Sequence, residues 1–207
     1  DLNVYLSRYS RQLRLLPSTW RSASIGGFIS GGSGGIGSVR WGFLRDPGHL
    51  IGLEIVTVED SPRILQLDAN KAEPLNHAYG TNGIITALTI STTKQVNWQE
   101  VSIDCERWTD SVNLLKSLSS AAIEIFLCTL LENKITENLP AWSGDHSGKH
   151  RLFLLVSPDS ISTVEGLSSR FKGKINFIRA ENNNSGQGIR ELTWNHTTLH
   201  MRKVDPN

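Results

Sequence analysis

Leu2, Leu6, Tyr9, Leu13 and Leu16 recur at helical spacing, so the chain opens on a predicted amphipathic helix over Leu2–Leu15, broken by Pro17-Ser18-Thr19. Leu50–Glu59 alternates β-branched and polar positions and predicts a strand. Asp60-Ser61-Pro62-Arg63 turns the chain so that Ile64–Leu67 pairs back onto it. Pro74–Tyr79 reads as a helical turn ended by Gly80, and Gly83–Thr92 as a strand. The pattern then changes. Gln99–Asp104 predicts a strand and Trp108–Leu118 a helix, with Thr109 or Asp110 able to cap it. A strand over Ile123–Thr129, a short helix over Leu131–Asn138 and a polar loop over Ala141–Lys149 follow. Arg151–Ser157, Ser160–Phe171 and Lys174–Arg179 predict strand, helix and strand, before a polar loop over Asn182–Gly188. Strand–helix–strand twice over implies an α+β sandwich with its helices on one face of an antiparallel sheet, and the change of pattern puts a boundary near residue 96.

Composition narrows the picture by exclusion. At 207 residues with 38% hydrophobic and 20% charged positions, the chain can bury an ordinary globular core. A net charge of +1 gives no basic field of the kind that holds nucleic acid. The apolar runs Ile123–Leu131 and Leu152–Val156 are too short to span a bilayer. Cys105 and Cys128 have no metal-like spacing and suit a reducing, cytoplasmic location; no metal site is expected. The chain opens with Asp1 and stops at Pro206-Asn207 just after a patterned segment, so neither end reads as a natural boundary.

The candidate chemistry lies in residues 24–42. Eight of the 18 glycines fall there, a density costly enough in entropy to imply that backbone geometry matters. Ile25, Phe28, Ile29, Ile36 and Trp41 interrupt them with anchors that a flexible linker would not need. Gly32-Ser33-Gly34-Gly35-Ile36-Gly37 satisfies the letters of a dinucleotide-binding turn. That turn requires a strand before it and a helix after it, whereas Gly26-Gly27 and Trp41-Gly42 break both, and no Tyr-x-x-x-Lys occurs for a short-chain reductase. Gly31-Gly32-Ser33-Gly34-Gly35 also matches a hydrolase nucleophile elbow by letters alone. A third arrangement lays successive backbone amides against a pyrophosphate.

Five motifs in order favour the third arrangement. They are Ser24-Ile25-Gly26-Gly27, the cluster Gly31–Gly35, Arg40-Trp41-Gly42, Leu50–Val56, and Ala78-Tyr79-Gly80-Thr81-Asn82-Gly83-Ile84-Ile85-Thr86. Together they resemble the flavin domain of the vanillyl-alcohol oxidase / p-cresol methylhydroxylase family, in its glycolate oxidase and D-lactate dehydrogenase-like branch. The turn Asp60-Ser61-Pro62 departs from that family's Asp-Gly, and Trp41 from its usual Tyr. The resemblance implies FAD as cofactor. Pro17, Ser18, Ser24, Ile25, Gly26 and Gly27 would pass close to the pyrophosphate and isoalloxazine, Gly31, Gly32, Ser33 and Gly34 would continue that wall, and Ile84 or Ile85 would bond the adenine end through its backbone with the side chain inward.

The implied fold is α+β: the second half of a p-cresol methylhydroxylase-type FAD-binding domain (1–95), then a ferredoxin-like α+β substrate-side domain (96–207). The implied activity is oxidation of an alcohol or 2-hydroxy acid, with a small-molecule substrate and no nucleic-acid or membrane partner. A nicotinamide-dependent reductase or a non-catalytic binding module are the alternatives. The family's earlier glycine-rich phosphate loop would lie upstream of this chain, so the chain by itself is expected to bind FAD poorly. The stretch Arg190–Leu199 resembles bacterial flavin oxidoreductases, and His196 beside Asn195 is an acid/base candidate weighed against a structural histidine. No catalytic residue is assigned.

Overall fold

The structure is a computed structural model that describes residues 2–32, 34–144, 148–181 and 187–192. It divides into two compact units, Asp1–Gln95 and Val96–Asn207.

In the first unit the opening helix is shorter than its periodicity suggests. Helix α1 covers Leu2–Ser7, Ser10 turns the chain at a φ of 53°, and Arg11–Leu13 is strand β1. The predicted helix over Leu2–Leu15 is therefore corrected. Asn3 accepts the N–H of Leu13 (3.0 Å) and folds the strand back onto the helix. Leu13, Leu15 and Leu16 are buried from this extended segment instead of from a helical face. Helices α2 (Ile25–Gly31) and α3 (Ser38–Trp41) follow. Strand β2 (Leu50–Val56) is the middle of a three-stranded antiparallel sheet. Strand β3 (Ile64–Asp68) pairs on one side, and after helix α4 (Ala69–Ala72) strand β4 (Ile84–Ile90) pairs on the other. Strand β5 (Thr92–Lys94) pairs with β1, Leu13 facing Thr92. Phe28 and Ile29 of α2 pack with Leu15, Leu44, Leu50, Leu53 and Ile55 into one apolar core.

In the second unit strand β6 (Gln99–Cys105), helix α5 (Trp108–Ser120) and strand β7 (Ile125–Leu131) make the first strand–helix–strand set. After the short helix α6 (Asn133–Thr136), strand β8 (His150–Val156), helix α7 (Ile161–Arg170) and strand β9 (Lys174–Ala180) make the second. The sheet order is β7-β8-β6-β9, every neighbour antiparallel, which is the ferredoxin-like arrangement. Val101, Ile103 and Cys105 of β6 pack with Leu114 and Leu118 of α5 and Val164 of α7. Neither Thr109 nor Asp110 caps α5: its N-cap is Arg107, which makes no side-chain cap bond, and Asp110 lies in the first turn.

Period-two alternation along β6 places Glu100, Ser102 and Asp104 opposite that apolar side, yet all three are buried. Arg151 of β8 meets Asp104 through two bonds, Nε–Oδ1 at 2.6 Å and Nη2–Oδ2 at 3.0 Å. Arg179 of β9 donates to Glu100 (2.8 Å), whose other oxygen accepts the N–H of Ile189 (2.8 Å). Arg190 pairs with Glu181 and lies 4.9 Å from the centroid of Phe126, whose ring stacks on Trp98.

Candidate functional site

Ser24 sets the geometry of the glycine-rich stretch. Its extended backbone (φ −77°, ψ 153°) puts it at the N-cap of α2, where its hydroxyl oxygen accepts the N–H of Gly27 (3.0 Å) and its carbonyl that of Phe28 (3.0 Å). The N–H groups of Ile25 and Gly26 find no acceptor among the described residues, as the first turn of a helix requires. At the other end Gly32 closes α2 at a φ of 62°, its N–H bonding Phe28 and Ile29 carbonyls. A Cβ at Gly32 would come within 2.3 Å of His77 Cβ, so both the dihedral and the close approach demand glycine.

The segment is thus a short helix with capped ends, which corrects the reading of residues 24–35 as a loop of successive free amides. Seven residues of Gly-rich sequence fold this way because Ile25, Phe28 and Ile29 supply an apolar side at helical spacing.

Two cavities open against the start of this helix. The larger, of about 700 Å³, is bounded by Ser24, Ile25 and Gly26, by Leu2, Leu6 and Leu13, and by Ile85 to Ile90 with Thr92. Side chains of a strand alternate between faces, so a cavity touching six consecutive residues runs along the unpaired edge of β4. The smaller, of about 290 Å³, is bounded by Pro17, Trp20, Arg21, Ser22, Ala23 and Ser24 with Asn3 and Phe28 among others. Leu2, Leu13, Ser24 and Ile25 line both.

Five of the expected residues therefore come together at the cavities: Pro17, Ser24, Ile25, Gly26 and Ile85. Ser18 follows Pro17 without reaching either lining, and the N–H of Gly27 is taken by the Ser24 cap. Gly31 and Gly32 stand at the far end of α2, and Gly34 packs against Phe43, its would-be Cβ 3.2 Å from that ring. These three do not continue the cavity wall. Ile84 is 61% exposed, so its side chain does not pack inward; Ile85, half-buried against the core, does. Ser33, Asn195 and His196 lie outside the described residues.

Sequence reasoning missed the contributions of Leu2, Leu6 and Leu13, because α1 and β1 were read as one helix. It also passed over Trp20-Arg21, although the pair directly precedes the Ser24–Gly27 motif.

The glycines of α2 separate two uses. A Cβ at Gly31 would meet nothing within 4 Å, and one at Gly26 only Ile85 Cγ2 at 3.9 Å, an ordinary contact. The fold itself does not require glycine at position 26. Its Cβ would project beside the larger cavity, so a backbone-close ligand there is what a missing side chain would admit. Neither cavity is lined by an Asp or Glu among the described residues, which suits an anionic ligand such as a pyrophosphate.

Other reactive groups are accounted for locally. His49 is buried and its Nε2 lies 2.8 Å from the Trp41 carbonyl, a structural contact. Asp46 accepts the N–H of Phe43 (2.7 Å) as a turn residue. Arg40 stands over the Trp41 ring at 5.0 Å. Burial pushes the Cys128 thiol up to about 12. Burial, and then the nearby carboxylates of Asp110 and Asp104, push Cys105 up to about 11, so neither is a nucleophile near neutral pH. A Rossmann-type turn is excluded by topology: both sheets are antiparallel, and α2 follows a turn instead of a parallel strand. Among the described residues no helix is long and apolar enough to cross a membrane.

No protein-family profile and no curated protein sequence matches the chain. Solved structures do. Alkyldihydroxyacetonephosphate synthase in a P1 crystal form superposes with a TM-score of 0.74 at 15% identity, covering 92% of this chain and 42% of that one. The same enzyme in a P212121 form gives 0.72 at 15% identity, with 92% and 40% covered. This chain therefore spans about two-fifths of the solved chains that it matches. Its fold is the α+β fold of an FAD-linked oxidase.

Proposed function

We propose that the chain is part of an FAD-dependent oxidoreductase acting on an alcohol or 2-hydroxy acid. Residues 1–95 would supply the later part of the flavin-binding domain and residues 96–207 a substrate-side domain. The observation that carries this reading is the joint cavity between the start of α2 and the edge of β4, in a chain with the fold of an FAD-linked oxidase. The ordered motifs of residues 24–86 support the glycolate oxidase and D-lactate dehydrogenase-like branch.

The residues at the cavity suit FAD. Ser24, Ile25 and Gly26 offer backbone approach to a pyrophosphate, with Pro17 and Ser18 beside it. Ile85 and the edge of β4 offer an apolar wall and main-chain groups for a flat ring. Bound flavin supplies the electron-accepting chemistry, while the protein orients its partner and excludes water. Two free cysteines support a cytoplasmic setting.

The neighbours' name favours a second reading, a synthase acting on a dihydroxyacetone phosphate derivative. Purification of the intact protein carrying these residues tests both. Flavin absorbance bands that vanish from the protein fraction on denaturation and gel filtration are expected. Bleaching of those bands by D-lactate or glycolate without oxygen supports the oxidoreductase, and turnover without net reduction supports the synthase. A colourless intact protein that takes up no added FAD contradicts both.

A further inference from the structure

The smaller cavity differs from the larger in its polar edge. Arg21 and Trp20 line it together with Asn3, Ser22 and Ser24. The guanidinium carbon of Arg21 lies 4.3 Å from the centroid of the Trp20 ring. Seating on an aromatic face preserves the full positive charge, restricts the side chain's rotamers, and keeps the in-plane N–H donors suited to a carboxylate or phosphate. The neighbouring polar groups are biased the same way. The side-chain oxygen of Asn3 already accepts the N–H of Leu13 (3.0 Å) and that of Ser24 the N–H of Gly27 (3.0 Å). What remains toward the cavity from these two side chains is an amide N–H₂ and a hydroxyl O–H, both donors. No Asp or Glu opposes them among the lining residues.

We infer that this cavity is a subsite for a small organic anion, a carboxylate or phosphate, with Arg21 on its Trp20 platform as the charge partner. Its volume of about 290 Å³ admits a small ligand, at the low end of the range for ligand pockets. Because Leu2, Leu13, Ser24 and Ile25 also border the larger cavity, the anion lies beside the ligand held there. The inference rests on the reading of that larger cavity as the cofactor's. It selects an anionic substrate, such as a 2-hydroxy acid or a phosphate ester, over a neutral alcohol.

Calorimetric titration of the intact protein, flavin-loaded and flavin-free, with sodium D-lactate, sn-glycerol 3-phosphate, orthophosphate and neutral 1,2-propanediol decides the matter. Lactate tests the carboxylate source and glycerol 3-phosphate the phosphate source. One of them should bind at least about tenfold more weakly to Arg21→Met, the loss expected from one partly solvated charge-assisted bond, and recover in part in Arg21→Lys. Propanediol should not distinguish the three proteins. Circular dichroism and the thermal midpoint check that Arg21→Met is folded. Anions that bind equally to wild type and Arg21→Met, or to neither, overturn the subsite. A flavin-loaded protein giving that result keeps its cofactor assignment and loses only the subsite. A protein that refuses FAD yet binds orthophosphate through Arg21 keeps the subsite and loses the flavin.

Discussion

Asp104 and Arg151 face each other across β6 and β8 with side chains 3% and 1% exposed, bonded through two nearly parallel contacts. Arg151 also donates to the carbonyl of Ser143 (3.2 Å), which lends its third edge a partner. Removing one member of such a pair leaves an uncompensated buried charge, whereas replacing both with apolar groups removes the desolvation cost as well. Asp104→Ala should therefore destabilise the second unit by roughly 3–5 kcal/mol in urea unfolding, and Asp104→Leu/Arg151→Met should recover most of that loss. An Asp104→Ala protein as stable as wild type would contradict the pairing. Only half of this was legible. The alternation Glu100-Val101-Ser102-Ile103-Asp104 gives the two faces of β6, but by pattern alone its polar face reads as solvated. Its burial depends on Arg151, Arg179 and Ile189, whose contacts are separated from it by 47 to 89 positions in sequence.

Helix α2 shows how far composition carries an element. Glycine density announced special backbone geometry, yet the individual glycines serve different purposes. Gly32 is fixed by its φ of 62° and by His77, Gly31 by neither. Gly31→Ala is expected to leave thermal stability unchanged or raise it by up to ~1 kcal/mol, and Gly32→Ala to lower it by more than ~1 kcal/mol. Thermal melts of the two variants check this; equal effects would contradict the assigned cap. For α1 and β1 the pattern was ambiguous in a physical sense. Leu2, Leu6, Tyr9, Leu13 and Leu16 fit one helical stripe. The strand pairing of Arg11–Leu13 with Thr92–Lys94 and the bond from Asn3 to Leu13 override it, and both are long-range relative to the helix itself. The strands of β2, β3 and β4 were read correctly because turn residues bracket β-branched runs at each end.

At the scale of the molecule, two strand–helix–strand sets in the second half were enough to predict helices on one face of an antiparallel sheet, and the order β7-β8-β6-β9 agrees. The cofactor reading rested on motif order, and its detail shifted once side chains were located. Pro17, Ser24, Ile25, Gly26 and Ile85 gather at the cavities, while Gly31, Gly32, Gly34 and Ile84 do not. That division is open to one direct measurement: the dissociation constant of FAD from the intact protein, by flavin fluorescence, for wild type, Gly26→Ala and Gly31→Ala. A methyl group at position 26 meets only an ordinary 3.9 Å contact within the protein, so the fold should persist while the new group intrudes on the cofactor. The expected result is a loss of FAD affinity of about tenfold or more in Gly26→Ala, an order of magnitude per ~1.4 kcal/mol, with Gly31→Ala unaffected. Unchanged affinity in a folded Gly26→Ala protein, or an equal loss in both variants, would contradict a cofactor held against the start of α2.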